Sequence, residues 1–243
     1  MKLKNKTALV TGGGTGIGKA IALALAQEGC RVAIAGQREE PLRSAAAEFT
    51  GKPDIAMHAA DVSERASVER LFAWADKELG PLDILVNSAG VNTPRRSMAE
   101  LDPADWDRLL AINATGAYHA MRLALPGMRQ RGGGLIVNIS SISGKRASLL
   151  GGVAYCASKF AMAALGGTVA LEEGSHGIRV TTIFPGEVET PILDQRPVPV
   201  SAEQRARILQ PADVAAAVVM IACLPPRAHI PELIIKPTSQ DYA

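Results

Sequence analysis

Short, almost uninterrupted apolar runs recur along the chain, and between them apolar positions fall three and four residues apart. The runs TALVT (7–11), RVAIAG (31–36), DIAMHAA (54–60), DILVN (83–87), GLIVNIS (134–140), RVTTIF (179–184) and ELIIKP (232–237) predict seven strands. Most lack the polar–apolar alternation of a half-exposed strand, which predicts a parallel sheet covered on both faces. The intervening KAIALALAQEG and SVERLFAWADKELG predict helices, the second with Val68, Leu71, Phe72 and Ala75 on one face. Repeated through 243 residues, the strand–helix–strand order predicts right-handed crossovers and an α/β, doubly wound, seven-stranded parallel sheet flanked by helices. No internal repeat or low-complexity linker divides it, so residues 1–243 read as one domain. In such sheets ligands bind beyond the carboxyl ends of the strands, and that is where candidate chemistry is sought.

Composition narrows the classes of function. Hydrophobic residues make up 47%, enough for a substantial core. Lys+Arg 26 against Asp+Glu 24 leaves a net charge of +2, and aromatic residues are 4%, so neither the basic field nor the stacking surface of a nucleic-acid binder is expected. Cys30, Cys156 and Cys223 are far apart and odd in number, which suits a reducing, cytoplasmic setting. His58, His119, His176 and His229 are scattered without ligand spacing, so no metal is expected. The run AAAVVMIACL is shorter than a bilayer requires, and the N-terminal segment has no signal-like apolar core, so no membrane partner is expected.

The stretch VTGGGTGIGKA (10–20) follows the first predicted strand. From Gly13 it approaches a triphosphate loop, but the magnesium-ligating hydroxyl position holds Ala20. From Gly12 it is a glycine-rich turn into a helix, whose first amides suit a pyrophosphate. Alone, such a turn is a weak signal, because a tight connection that binds nothing uses the same residues.

Further motifs stand in order behind it: Asn87-Ser88-Ala89-Gly90, Asn113 in AINATG, Ser140-Ser141 in IVNISSISG, Tyr155-Cys156-Ala157-Ser158-Lys159, and Pro185-Gly186-Glu187-Val188-Glu189-Thr190. With Thr11-Gly12 and Gly16-Ile17-Gly18, this ordered set resembles the short-chain dehydrogenase/reductase family from residue 11 to about 190. The resemblance implies a Rossmann-type sheet and an NAD(P)-dependent oxidoreductase that moves a hydride between nicotinamide and a carbonyl or secondary alcohol. A free tyrosine titrates near ~10, too high for a base near neutrality, and a neighbouring cation favours the phenolate. Tyr155 and Lys159 lie four apart in a helical stretch and share a face.

By the resemblance, Tyr155 is the acid/base, Lys159 holds the nicotinamide ribose and tunes the tyrosine, and Ser141 bonds the substrate oxygen, with Ser143 a second substrate-facing hydroxyl. Asn113 completes the catalytic set through a water joining Lys159 to solvent. The implied cofactor contacts are Gly12, Thr15, Gly16, Ile17, Gly18, Arg38, Asp61, Val62, Asn87, Ala89, Gly90, Tyr155, Lys159, Pro185, Gly186, Val188 and Thr190. The second strand ends VAIAGQREE: Gly36 stands where an NAD-selective acid belongs and Arg38 follows, so NADP(H) is favoured and NAD(H) possible.

A proline-rich segment, about 190–210, reads as a modest substrate lid. Arg95, Arg96, Lys145, Arg146 and Arg196 fall on the ligand-binding edge, which points to an anionic carbonyl substrate or to ordinary solvated charge. The tail LPPRAHIPELIIKPTSQDYA lacks the glycine-rich ending of many family members, a departure from the fatty-acid-synthesis reductases. A 3-oxoacyl-thioester reductase and a non-catalytic dinucleotide sensor are the alternatives. Partners are a small-molecule carbonyl or alcohol and further copies of the chain, as a homodimer or homotetramer.

Overall fold

Each apolar run forms a strand: β1 (Thr7–Thr11), β2 (Arg31–Gly36), β3 (Ala56–Ala59), β4 (Ile84–Asn87), β5 (Gly134–Ile139), β6 (Ile178–Pro185) and β7 (Glu232–Ile235). The computed structural model describes residues 1–240; Asp241, Tyr242 and Ala243, the end of the predicted domain and tail, lie outside the described residues. The strands form one sheet of order β3-β2-β1-β4-β5-β6-β7, every neighbouring pair parallel. The edge strands β3 and β7 are shorter than the apolar runs that predicted them. Each pairs on one side only, and Pro53 and Pro237, which flank them, have no N–H to give a ladder.

Among the described residues eight α-helices connect the strands: α1 (Gly16–Gln27), α2 (Glu39–Ala47), α3 (Arg65–Leu79), α4 (Pro103–Leu110), α5 (Gly116–Gln130), α6 (Val153–Glu173), α7 (Ala202–Arg207) and α8 (Pro211–Ala222). The pleat of β1 sends Ala8 and Val10 into a core shared with Ile21 and Leu25 of α1, Leu42 of α2 and Val218 of α8. It sends Leu9 to the other face, among Leu71 of α3, Met121 of α5 and Met162 of α6. Both faces are therefore apolar, the physical reason for the missing alternation. A buried leucine such as Leu9 or Leu71 is worth about 2 kcal/mol of transfer free energy.

Helix α6 with the turn that continues it, Val153–His176, is long and apolar enough to cross a membrane by length and composition, unlike the shorter run singled out above. Here it is a sheet-covering helix that places Met162 and Val169 in the core and buries Ser158 and Lys159. From β1 the chain winds outward to β3, then returns to place β4 on the opposite side of β1. That reversal opens a crevice at the carboxyl ends of β1 and β4.

Candidate active site

The crevice is a cavity of about 610 Å³, within the range of small-molecule and cofactor sites. One wall is the turn after β1. Gly12 has φ 68°, and a Cβ there would stand 2.7 Å from the Ala89 nitrogen. A Cβ on Gly18 would stand 2.2 Å from the Gly12 carbonyl oxygen, so only glycine lets α1 begin this close to the turn. No side chain caps α1 and its first turn holds no acid, so its leading amides suit a pyrophosphate. Gly12, Thr15, Gly16, Ile17, Gly18 and Arg38 line this side, with Gly90, Pro185, Gly186, Val188 and Thr190 along the remainder. Arg38 follows β2 and forms no ion pair among the described residues, while Glu39 and Glu40 behind it are paired with Arg43. These residues fit a dinucleotide.

Four of the expected cofactor residues do not reach the cavity wall. Asp61 turns back on its own loop, accepting from the Ser63 amide at 2.9 Å and from Gln37 Nε2 at 2.9 Å. Val62 is buried against Gly116, and Asn87 donates to Asn138 Oδ1 across β4 and β5 at 2.9 Å. Ala89 lies over Gly12, its amide 3.4 Å from Thr11 Oγ1.

Tyr155 and Lys159 share a face of α6 at the cavity, with Lys159 Nζ 5.7 Å from the Tyr155 ring centroid. Lys159 is 3% exposed and donates to the Ile139 carbonyl at 2.9 Å; burial brings its ammonium down to about 8. A side chain at Gly90 would crowd this ammonium, its Cβ standing 3.3 Å from Nζ. Tyr155 behaves differently from the sequence expectation. Burial pushes its phenol above the ordinary tyrosine value; the opposing influences are a hydrogen bond from Ser141 and the charge of Arg96. Lys159 is turned toward Ile139 and is not among them.

Ser141 caps the short turn Ile142–Gly144, where its Oγ accepts from the Ser143 amide at 3.1 Å. The Ser143 hydroxyl faces Ser148 at 3.3 Å. Both serines line the cavity, but Ser141 is the one whose hydroxyl acts on the Tyr155 phenol, opposing the upward push of burial. Asn113 sits in a π-helical turn, Ala111–Thr115, of the kind often found at functional sites. Its amide is committed to protein: Oδ1 accepts from the Val91 amide at 2.8 Å, and Nδ2 donates to the Val91 carbonyl at 3.0 Å and to Ser158 Oγ at 2.9 Å. These bonds fasten the loop after β4 to α6, so the side chain itself acts as a brace.

Of the five edge cations, Arg96, Arg146 and Arg196 line the cavity. Lys145 instead pairs with Glu232 and lies 4.8 Å over the Phe184 ring. The lid folds as a short turn, Pro191–Gln195, followed by α7, with Arg205 tying Glu189 to Asp194 at 2.7 and 2.8 Å. Sequence reasoning missed Asn92, Ser148 and Gln240. Asn92 donates to the Gly151 carbonyl at 3.3 Å, and Gln240 Oε1 accepts from the Glu187 amide at 3.0 Å. None carries a motif; Gln240 arrives from the far end of the chain.

The family model described as short chain dehydrogenase matches residues 6–198. D-beta-hydroxybutyrate dehydrogenase of Cupriavidus necator is 37% identical over 195 residues, 80% of this chain and 75% of that protein. Acetoacetyl-CoA reductase of Allochromatium vinosum is 36% identical over 228 residues, 89% of this chain and 91% of its own. Among solved structures, the closed form of serine dehydrogenase complexed with NADP+ superposes with a TM-score of 0.89 at 30% identity, covering 98% of this chain and 97% of that one. The chain belongs to the short-chain dehydrogenase family and is a nicotinamide-dinucleotide-dependent oxidoreductase of CH–OH and carbonyl groups.

Proposed function

We propose that the protein is an NADP(H)-dependent ketone reductase or secondary-alcohol dehydrogenase in which Tyr155 exchanges the proton of the reacting oxygen. The observation that carries this reading is the convergence of Tyr155, Ser141 and Lys159 on a cavity walled by the glycine turn. Bound dinucleotide supplies the hydride in reduction and takes it in oxidation. In reduction the Tyr155 hydroxyl donates its proton to the carbonyl oxygen; its raised pKa keeps that proton in place at neutral pH. Ser141 orients the same oxygen and steadies the phenolate left behind. Lys159 holds a buried positive charge on the cofactor side of Tyr155, suited to a ribose hydroxyl.

The preference for NADP(H) rests on Arg38, a cavity-lining cation two residues beyond Gly36, the position where an NAD-selective acid would accept the ribose 2′-hydroxyl. A homodimer or homotetramer belongs to the same proposal, through the apolar Tyr118 of α5 and Phe160 and Leu171 of α6 left on the surface. A cytoplasmic setting accords with three free cysteines.

A screen of NADPH and NADH consumption over ketones, oxo acids and a 3-oxoacyl thioester tests the reading. Turnover with higher kcat/KM for NADPH is expected, and Arg38→Ala narrows that preference by about tenfold. NADH as the better cofactor removes the assignment of Arg38. The thioester as best substrate selects the reductase of acyl thioesters.

A further inference from the structure

Arg96 is 8% exposed, yet it has no carboxylate within ion-pair distance among the described residues. Its guanidinium is held by three backbone carbonyls: Nε donates to Thr93 at 2.6 Å, Nη1 to Leu150 at 2.6 Å and Nη2 to Gln195 at 2.7 Å. Those partners come from the loop after β4, the loop before α6 and the lid; none belongs to the glycine turn. Carbonyls solvate a guanidinium but do not neutralise it. A buried charge without an opposite charge is costly and is ordinarily paired.

The neighbourhood sharpens the point. Burial disfavours the charged form of Arg96, and repulsion from nearby Arg196 adds to it. Arg196 itself is matched by Glu187 at 3.1 Å, so the group of three carries one uncompensated positive charge. That charge lines the same cavity as Tyr155 and is felt at its phenol. Of the five N–H groups of a guanidinium, three are spent on the carbonyls. One N–H therefore remains on each Nη, donors that suit a carboxylate, which would also relieve the repulsion between the two arginines. A neutral ketone would leave both the charge and the donors unanswered.

We propose that Arg96 anchors a carboxylate on the substrate, so that this site acts on short oxo acids and the matching hydroxy acids in preference to neutral ketones. The inference rests on the proposed function, since it names the substrate class of that same site. The plain alternative is a structural pin that only joins the lid to the two loops.

The test compares short oxo acids, with the ketone alpha, beta or gamma to the carboxylate, against their primary amides in the wild type, Arg96→Gln and Arg96→Lys. The readout is the ratio of kcat/KM for acid over amide. The wild type is expected to favour the acid, Arg96→Gln to lower the ratio by about 10- to 100-fold, and Arg96→Lys to keep more of it than Gln does. A wild type without preference overturns the proposal, as does an Arg96→Gln variant that loses acid and amide turnover equally. Calorimetric titration of butanoate and butanamide into each protein saturated with NADP+ reads binding without turnover. Butanoate binding that Arg96→Gln abolishes supports the anchor even where no ketone is reduced, an outcome that would refute the proposed reaction alone. Butanoate and butanamide binding alike, or not at all, overturns the anchor.

Discussion

At the scale of single residues, the site divides hydroxyls of similar sequence standing into different roles. Ser141 and Ser143 are two positions apart, and the motif alone leaves both facing substrate. The turn Ile142–Gly144 separates them: Ser141 meets Tyr155, whereas Ser143 spends its hydroxyl on Ser148. Ser141→Ala is therefore expected to lower kcat by about 10²-fold, the cost of losing one oriented donor at a charge that develops during reaction. Ser143→Ala should cost less than about tenfold. Equal losses in steady-state assays of the two variants would remove the distinction. Tyr155 and Lys159 were legible from four-residue spacing within the ordered set of motifs, but their protonation was not, because neither spacing nor motif carries information on burial. Arg96 shows the same limit: as one of five edge cations it was unremarkable, and only its depth and its missing carboxylate single it out.

At the scale of elements, the seven strands were legible because both faces of the sheet are apolar, and the glycine turn because the motifs standing in order behind it resolved a signal that is weak by itself. The edges of β3 and β7 were overextended, since apolar residues continue beyond the last ladder bond. The π-helical turn around Asn113 left no sequence signal; it depends on the Val91 backbone and Ser158, both distant in the chain. The junction between turn and α1 is the most confined of these elements. A methyl group at position 18 would meet the Gly12 carbonyl oxygen at 2.2 Å, inside any permissible contact. Gly18→Ala must shift the start of α1, at a cost of about 1–3 kcal/mol typical of overpacking. The expected result is a lower urea midpoint and at least about tenfold weaker NADPH binding by fluorescence titration. Unchanged affinity would mean that the turn does not hold the dinucleotide.

At the scale of the whole molecule, topology was legible and the tail was not. Strand–helix alternation implied the crevice between β1 and β4, but nothing in the closing residues announced that Gln240 returns to hold Glu187 beside the cavity. The site also weighs on global stability. Lys159 titrates at about 8 in the folded protein against 10.5 for the free side chain, so below about pH 8 folding must bury a charge that the unfolded chain keeps solvated. Each pKa unit is worth ~1.4 kcal/mol, giving a penalty of roughly 3 kcal/mol near neutrality, which fades as pH rises from about 8 to 10.5. Lys159→Met should consequently be inactive yet more stable by about 2 kcal/mol at neutral pH, once the lost bond to the Ile139 carbonyl is included. Its advantage in urea unfolding should shrink across that alkaline range. A destabilised variant, or an advantage independent of pH, would contradict the burial of a charged amine.

The most direct test of the central claim pairs a rate with an affinity in Tyr155→Phe. With the best carbonyl substrate from the screen, kcat is measured beside the Kd for NADPH. If Tyr155 delivers the proton, kcat falls by about 10³-fold, within the range for loss of a general acid, while NADPH is still bound and the fold persists. A variant that keeps more than about a tenth of the wild-type kcat would contradict that assignment.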